Sequence, residues 1–224
     1  HLTPLLKYLA AEKAVEIARR GLQIHGGVGY CVEYGAERLL RDAMVMPIYE
    51  GTSQIQALMV MKDNLMAAVK HPRRFLQART QARWRAMSSR DPLERRVAKL
   101  QGLQHQAVQF LLSRLAVAKL GELRHAPMES WSEHLKTFDP KRDFALAMLH
   151  AERLTIVITD VAVAEELLEQ GRKDPARNEV LERWLERAEP RCRHQLDLIQ
   201  TTGGRLLDAL RGHDQADVHP VAAK

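Results

Sequence analysis

Residues Gln23 to Gln56 read QIHGGVGYCVEYGAERLLRDAMVMPIYEGTSQIQ. Two glycine-rich turns flank a short amphipathic stretch with Leu39, Leu40 and Ala43 on one side. Gly26, Gly27 and Gly29 close a preceding helical pattern and let the backbone pass close to another group without an intervening side chain. Pro47 stops the short helix. Tyr49-Glu50-Gly51 then leads to Thr52, an N-cap for the apolar run Ile55, Leu58, Met59, Met61 and Leu65. Glu50 is thus an acid in a loop at the mouth of a helix, next to a glycine that leaves room for a ligand. Its simplest alternative role is to complement the helix dipole.

Upstream, Thr3-Pro4 is a helix start, and Leu5, Leu6, Leu9, Ala10, Val15, Ile17, Ala18 and Leu22 predict a helix over residues 4–24. The helix opened by Thr52 runs to Val69, where His71-Pro72 ends it because the residue before a proline is pushed out of the α region. Downstream the spacing predicts helices over 73–87 and 93–120, with a break at Ser88, Ser89 and Asp91-Pro92 and a long loop over 121–140. A further helix starts at Phe144 and is closed by Gly171. A last one starts near Asp174-Pro175, is kinked or divided by Pro190, and is loosened at Gly203-Gly204. The tail after Gly212 is expected to fray. No stretch alternates with the two-residue period of a strand, so the fold class is all-α. Residues 1–71 and 72–224 are expected to form separate domains.

The chain has 224 residues, a net charge of +6 and two cysteines, Cys31 and Cys192, far apart in sequence and in different expected domains. That usage fits a reducing compartment, and ten scattered histidines with no ligand spacing give no metal site. No apolar run is long enough to span a bilayer, and no secretory signal pattern opens the chain, which begins with His1. The expectation is a portion of a longer protein. The charge excess is local, since residues 71–114 carry ten basic and only two acidic side chains. Its arginines include Arg73, Arg74, Arg79, Arg83, Arg85, Arg90, Arg95 and Arg96. A solvated helix face, the phosphates of a ligand, an anionic membrane and nucleic acid are all compatible with them. The segment lacks the interleaved aromatics of a single-strand binder, and its apolar companions Phe75, Leu76 and Trp84 are few.

The quoted stretch resembles the C-terminal signature of the acyl-CoA dehydrogenase family. Gln23, Gly26, Gly27, Gly29, Tyr30, Glu33, Arg38 and Asp42 match one family motif in order. Tyr49, Glu50, Gly51, Thr52, Gln54, Ile55 and Gln56 match the second. Gly35-Ala36 departs from the proline common at this turn. The likeness covers about the first 70 residues, and residues 73–212 are similar to the extra helical bundle of the larger family members.

The resemblance implies FAD-dependent formation of an α,β double bond in an acyl-CoA thioester, a step of fatty acid β-oxidation and lipid metabolism. Glu50 would be the base that removes the α proton, a task requiring a partly desolvated carboxylate and a polarised thioester carbonyl. Gly51 would contact the acyl chain. Thr52, Ser53 and Gln54 would contact FAD at the start of a helix. Gln23, Ile24, His25, Gly26 and Gly27 would approach the FAD bound mainly by a neighbouring subunit, so a homodimer or homotetramer is implied. An electron-transfer flavoprotein or similar acceptor would take the electrons, in the cytoplasm of a bacterium or the mitochondrial matrix of a eukaryote. Most of the flavin site would lie in a β-domain outside these residues, so the chain alone is expected to be inactive. Arg38 and Asp42, four apart, read as an ion pair. Arg73, Arg74 and Arg79 are candidates for the CoA phosphates. The competing reading is a non-enzymatic relative that uses the helical core for oligomerisation or for nucleic-acid or membrane binding.

Overall fold

Among the described residues the computed structural model contains helices and turns but no strand. The structure describes residues 2–123 and 144–209. They divide into two compact units between Lys70 and His71.

The first unit holds α1 (Leu2–His25), two short 3-10 turns (Gly26–Tyr30 and Val32–Tyr34), α2 (Ala36–Ala43) and α3 (Ser53–Lys70). Helix α1 is the platform, with α2 and α3 packed on it. Its first half buries Leu5, Tyr8 and Ala11 against an α3 face made of Ala57, Val60, Met61, Leu65 and Ala68. Small residues on both sides let the helices approach closely. The apolar face expected to continue along α1 to the glycines is present in sequence but uncovered within the chain, since Ile17 is 66% and Ile24 87% exposed. Likewise Ile55 and Met59 of α3 stay about half exposed. Thr3 and Pro4 lie inside the first turn of α1 rather than at its boundary.

Glycines set the turn after α1. Gly26 takes φ +66°, which ends the α-helix. At Gly29 a Cβ would stand 2.6 Å from His25 Cβ and 2.7 Å from the Leu22 carbonyl oxygen. The coil can therefore fold back on the last turn of α1 only with glycine there. Gly35, at φ +70°, joins the second 3-10 turn to α2.

The second unit contains α4 (Pro72–Ser88), α5 (Pro92–Leu123), the short α6 (Ala145–Leu149), α7 (Ala151–Lys173) and α8 (Arg177–Thr201). The expected loop over 121–140 lies almost wholly outside the described residues, as does the tail after Gly212. Helices α5, α7 and α8 pack mutually, while α4 lies on α5. On α8 the buried positions Leu181, Leu185, Ala188, Cys192, Leu196 and Ile199 follow the spacing of a bundle seam. Leu181, Leu185, Ala188 and Cys192 meet Leu93, Val97 and Leu100 of α5 and Val157, Val161, Ala164 and Leu168 of α7. Asp91 caps α5 by accepting the Leu93 N–H at 2.8 Å, with Pro92 at the first helical position.

Three local expectations are corrected. The helix from Phe144 is interrupted at His150, whose backbone at φ −103° and ψ 12° separates α6 from α7. Pro190 does not divide α8; it lies on the exposed side, where water can satisfy the carbonyl it leaves unpaired. Gly171 does not close α7, which runs on to Lys173. Its glycine is required by close approach, because a Cβ would stand 2.1 Å from Asn178 Oδ1. At Gly203 the expected loosening is found, with α8 ended at Thr201 and φ +95° at the glycine.

Candidate active site

Pro47 has no N–H to extend the helical bonding of α2, so the chain leaves it through a series of tight turns over residues 44–51. The first unit grips this connection from two helices. From α1, Lys7 donates to the Met46 carbonyl at 2.6 Å and lies 4.2 Å from the Tyr49 ring centroid. The Tyr49 hydroxyl meets Met46 Sδ at 3.3 Å. From α3, the Ser53 N–H donates to the Pro47 carbonyl at 2.9 Å, and its hydroxyl donates to Glu12 of α1 at 2.5 Å. Thr52 is the expected N-cap, accepting the Ile55 N–H on its hydroxyl at 3.3 Å.

Glu50 stands at the apex with φ +52°, the one non-glycine residue with positive φ among those described. A left-handed backbone costs an L-residue about 1–2 kcal/mol, and strain of this kind, once observed, is a reason to look for function. Its carbonyl accepts from Gln56 Nε2 at 3.1 Å, while its carboxylate is exposed beside a surface of Ile48, Tyr49, Ile55 and Met59 that is itself partly open. Gly51, at φ +88°, adds no side chain there. An anionic group at the start of an 18-residue helix, next to uncovered apolar surface, can take up a proton from a ligand lying on that surface.

The other sequence candidates separate into two groups. Thr52, Ser53 and Gln54 share the helix start, but Ser53 is buried and turned towards Glu12, leaving the exposed Gln54 as the side chain open to a ligand. Gln23, Ile24, His25, Gly26 and Gly27 are all exposed at the opposite end of α1, and a Cβ at Gly26 or Gly27 would meet open space. The Glu50 turn rests on Lys7 and Glu12, whereas this segment begins 11 to 16 residues further on. At 1.5 Å per residue that is roughly 16–24 Å along the helix. One copy of the chain therefore does not bring the two segments to the same point.

Arg38 and Asp42 form the anticipated ion pair at 3.6 Å, both well exposed. Tyr30, which follows the Gly29 turn, is 78% exposed. Arg73 and Arg74 are exposed in the first turn of α4, and Arg79 is half-buried with its charge felt at His105. Lys7, Glu12 and the clamp made by Gln56 were not singled out by the sequence. Lys7 acts on a residue 39 positions away, and no local pattern announces that contact.

Reactive groups in the second unit are structural. Cys192 is buried, and desolvation together with the neighbouring Asp160 carboxylate pushes its thiol far up. Asp160 itself is held by Arg191 through two bonds of 2.7 and 2.5 Å. Cys31 is free and exposed. Among the described residues no three His, Cys, Asp or Glu side chains cluster as metal ligands, and no helix is long and apolar enough to cross a membrane.

Residues 1–65 match the family model described as the acyl-CoA dehydrogenase C-terminal domain. Over these residues the chain is similar to the C-terminal domain of acyl-CoA dehydrogenases. Over 62 residues the chain is 53% identical to a 3-(aryl)acrylate reductase of Clostridium sporogenes, covering 28% of this chain and 16% of the relative. Over 56 residues it is 54% identical to a 3-methylmercaptopropionyl-CoA dehydrogenase of Ruegeria pomeroyi, covering 25% and 10%. The fold is similar to a crystal structure of an acyl-CoA dehydrogenase complexed with FAD from Bacillus anthracis, with a TM-score of 0.57 and 18% identity, over 99% of this chain and 36% of that one. The chain thus spans a small part of the length of these relatives. The fold likeness, unlike the acyl-CoA dehydrogenase sequence match, extends through the second unit.

Proposed function

We propose that the chain is the C-terminal portion of an FAD-dependent acyl-CoA dehydrogenase in which Glu50 takes the α proton of the acyl thioester. The observation that carries the reading is the Glu50 turn: a strained, outward-facing carboxylate gripped from α1 and α3 beside a side-chain-free glycine. Bound FAD would supply the acceptor for the β hydride. The chain's own residues would orient and exclude. Gly51 leaves the acyl chain room to reach the carboxylate. Ile48, Tyr49, Ile55 and Met59 offer apolar surface that an acyl group can cover, which would also shield Glu50 from water.

The exposed backbone at Gly26 and Gly27 fits a flat or anionic group at close range, since no side chain stands in its way. Its distance along α1 from the Glu50 turn supports a site completed by a second subunit, with Gln23, Ile24, His25, Gly26 and Gly27 of one copy facing the flavin that serves the other. Thr52 and Gln54 are proposed on the flavin side of Glu50, with an electron-transfer flavoprotein as electron acceptor. One matched relative is named a reductase and the other a dehydrogenase, so the shared segment suits proton transfer in either direction. Oxidation is the proposed direction here.

In the full-length protein with flavin bound, Glu50→Gln should leave flavin content and melting temperature unchanged. It should lower acyl-CoA-dependent flavin reduction by on the order of 10²–10⁴-fold, the usual contribution of a general base. Reduction at the wild-type rate would place the base elsewhere.

A further inference from the structure

One peptide group in the site is held by a contact that the proton-transfer chemistry does not itself require. Glu50 and Gly51 are successive residues with positive φ, +52° and +88°, and the Glu50 carbonyl accepts from Gln56 Nε2 at 3.1 Å. Gln56 is well placed to hold it. It sits in the first turn of α3 with its own N–H fixed on the Thr52 carbonyl at 2.9 Å, and its side chain is half-buried. Space for the amide exists because residue 51 is glycine, where a Cβ would stand 2.6 Å from Gln56 Nε2.

We propose that Gln56 is a positioning residue for the reaction: its amide locks the left-handed Glu50 peptide and thereby aims the Glu50 carboxylate at the substrate's α carbon. The inference rests on Glu50 being the base. The amide is the hydrogen bond made to the Glu50 carbonyl itself; its loss would let Glu50 relax towards negative φ and swing its Cα–Cβ bond away from the direction it now holds. Lys7 and Ser53 hold Met46, Pro47 and Tyr49, before the apex, and neither bonds the Glu50 carbonyl. The chemistry of the side chain fits this task. A carboxylate at position 56 would offer no donor to a carbonyl and would add a second negative charge beside Glu50, whereas a neutral amide donates without competing for the base.

The test uses the full-length protein with flavin bound, following flavin reduction in a single turnover at saturating butyryl-CoA or a longer acyl-CoA, per mole of bound flavin. Gln56→Ala, and Gln56→Met, which keeps the side-chain length should the alanine variant fail to fold, are expected to lower the limiting rate roughly 10- to 100-fold, as expected for a misplaced reacting group. The acyl-CoA dissociation constant should stay within about twofold of wild type, because the lost interaction acts on the base and not on substrate binding. A wild-type limiting rate per bound flavin, with or without lower stability, overturns the proposal. So does weaker acyl-CoA binding at an unchanged limiting rate. Glu50→Gln in the same assay keeps the two claims apart. If it reduces flavin normally, the assignment of the base fails; if it is inactive while both Gln56 variants are normal, the clamp alone fails.

Discussion

The two units solve the burial problem differently. In the second, α5, α7 and α8 close on one another, and Leu181, Leu185, Ala188 and Cys192 are completely inaccessible. In the first, several large apolar residues face outward, with Ile24 87%, Tyr30 78%, Val32 77% and Leu39 68% exposed, while alanines make up about half of the buried apolar positions. Uncovered large apolar side chains are the kind of surface that another chain or a ligand can cover. The unit that carries the candidate site is therefore the one with less of its apolar surface closed within the chain, and among the described residues of the bundle no cluster of metal-ligating side chains is found.

Paired substitutions sharpen this contrast. Leu185→Ala removes a side chain sealed among three helices and is expected to cost about 2–5 kcal/mol. Ile24→Ala removes one that touches little within the chain and should change its stability by less than about 0.5 kcal/mol. Tryptophans 84, 131 and 184 all lie beyond residue 70, so their fluorescence in a urea titration follows the second unit, while circular dichroism follows both. A similar loss from the two substitutions would erase the distinction.

Much of this arrangement was legible in the sequence, for reasons that differ by element. The start of α3 was readable because capping is local: Thr52 precedes the apolar run and bonds Ile55 three residues on. The end of α3 and the start of α4 follow from one proline. The closure at Gly171, the division at Pro190 and the unbroken helix from Phe144 through His150 are not found, because each is decided by a partner remote in sequence or by its side of the bundle. Gly171 is set by Asn178 on the next helix, Pro190 by its exposure, and His150 by Thr202, whose carbonyl lies 3.3 Å from Nε2. At the candidate site, motif spacing pointed to Glu50 and Gly51, but the grip of Lys7 and the separation of Gln23 from Glu50 along α1 emerge only once the helices are packed.

Acid should also tell the units apart. His150 is sealed with Nδ1 accepting from Arg153 at 2.7 Å and Nε2 donating to the Thr202 carbonyl. Burial, reinforced by the Arg153 charge, holds it below its ordinary value of 6.5. His105 is lowered too, by burial and then by Arg79 and Arg85. A histidine kept neutral by the fold contributes stability above the unfolded value of 6.5, and that contribution is lost as pH falls from there towards the folded value. The slope for each proton is at most about 1.4 kcal/mol per pH unit. In the first unit Glu16 is lowered chiefly by its bond from Lys13, so its contribution is present above 4.5 and is lost only as pH falls further. The tryptophan-detected urea midpoint should therefore drop between pH 7.5 and 5.5, and His150→Gln should flatten that dependence. A midpoint constant over this range would show that neither histidine takes up a proton preferentially on unfolding.

The smallest expected effect concerns the arginines at the start of α4. Arg73 and Arg74 open α4 with no acid in the first turn, where the positive end of the helix dipole disfavours them. Two exposed cations in an unfavourable position gain most from an anionic partner, and arginine pairs with phosphate through two parallel bonds. We propose that Arg73, Arg74 and Arg79 contact the phosphates of CoA. Because surface ion pairs are worth only about 0.2–1 kcal/mol each, neutralising all three in the full-length protein should raise the apparent KM for acyl-CoA by about threefold to 150-fold at low salt. The KM for an acyl-pantetheine thioester, which lacks the nucleotide, should stay near wild type, and kcat should be unchanged for both. Raising the ionic strength should shrink the difference, since screening weakens the wild-type contacts and leaves nothing to weaken in the variant. Equal shifts for the two substrates, or none for either, would return these arginines to a solvated face and leave the chemistry entirely to the first unit and the protein that covers it.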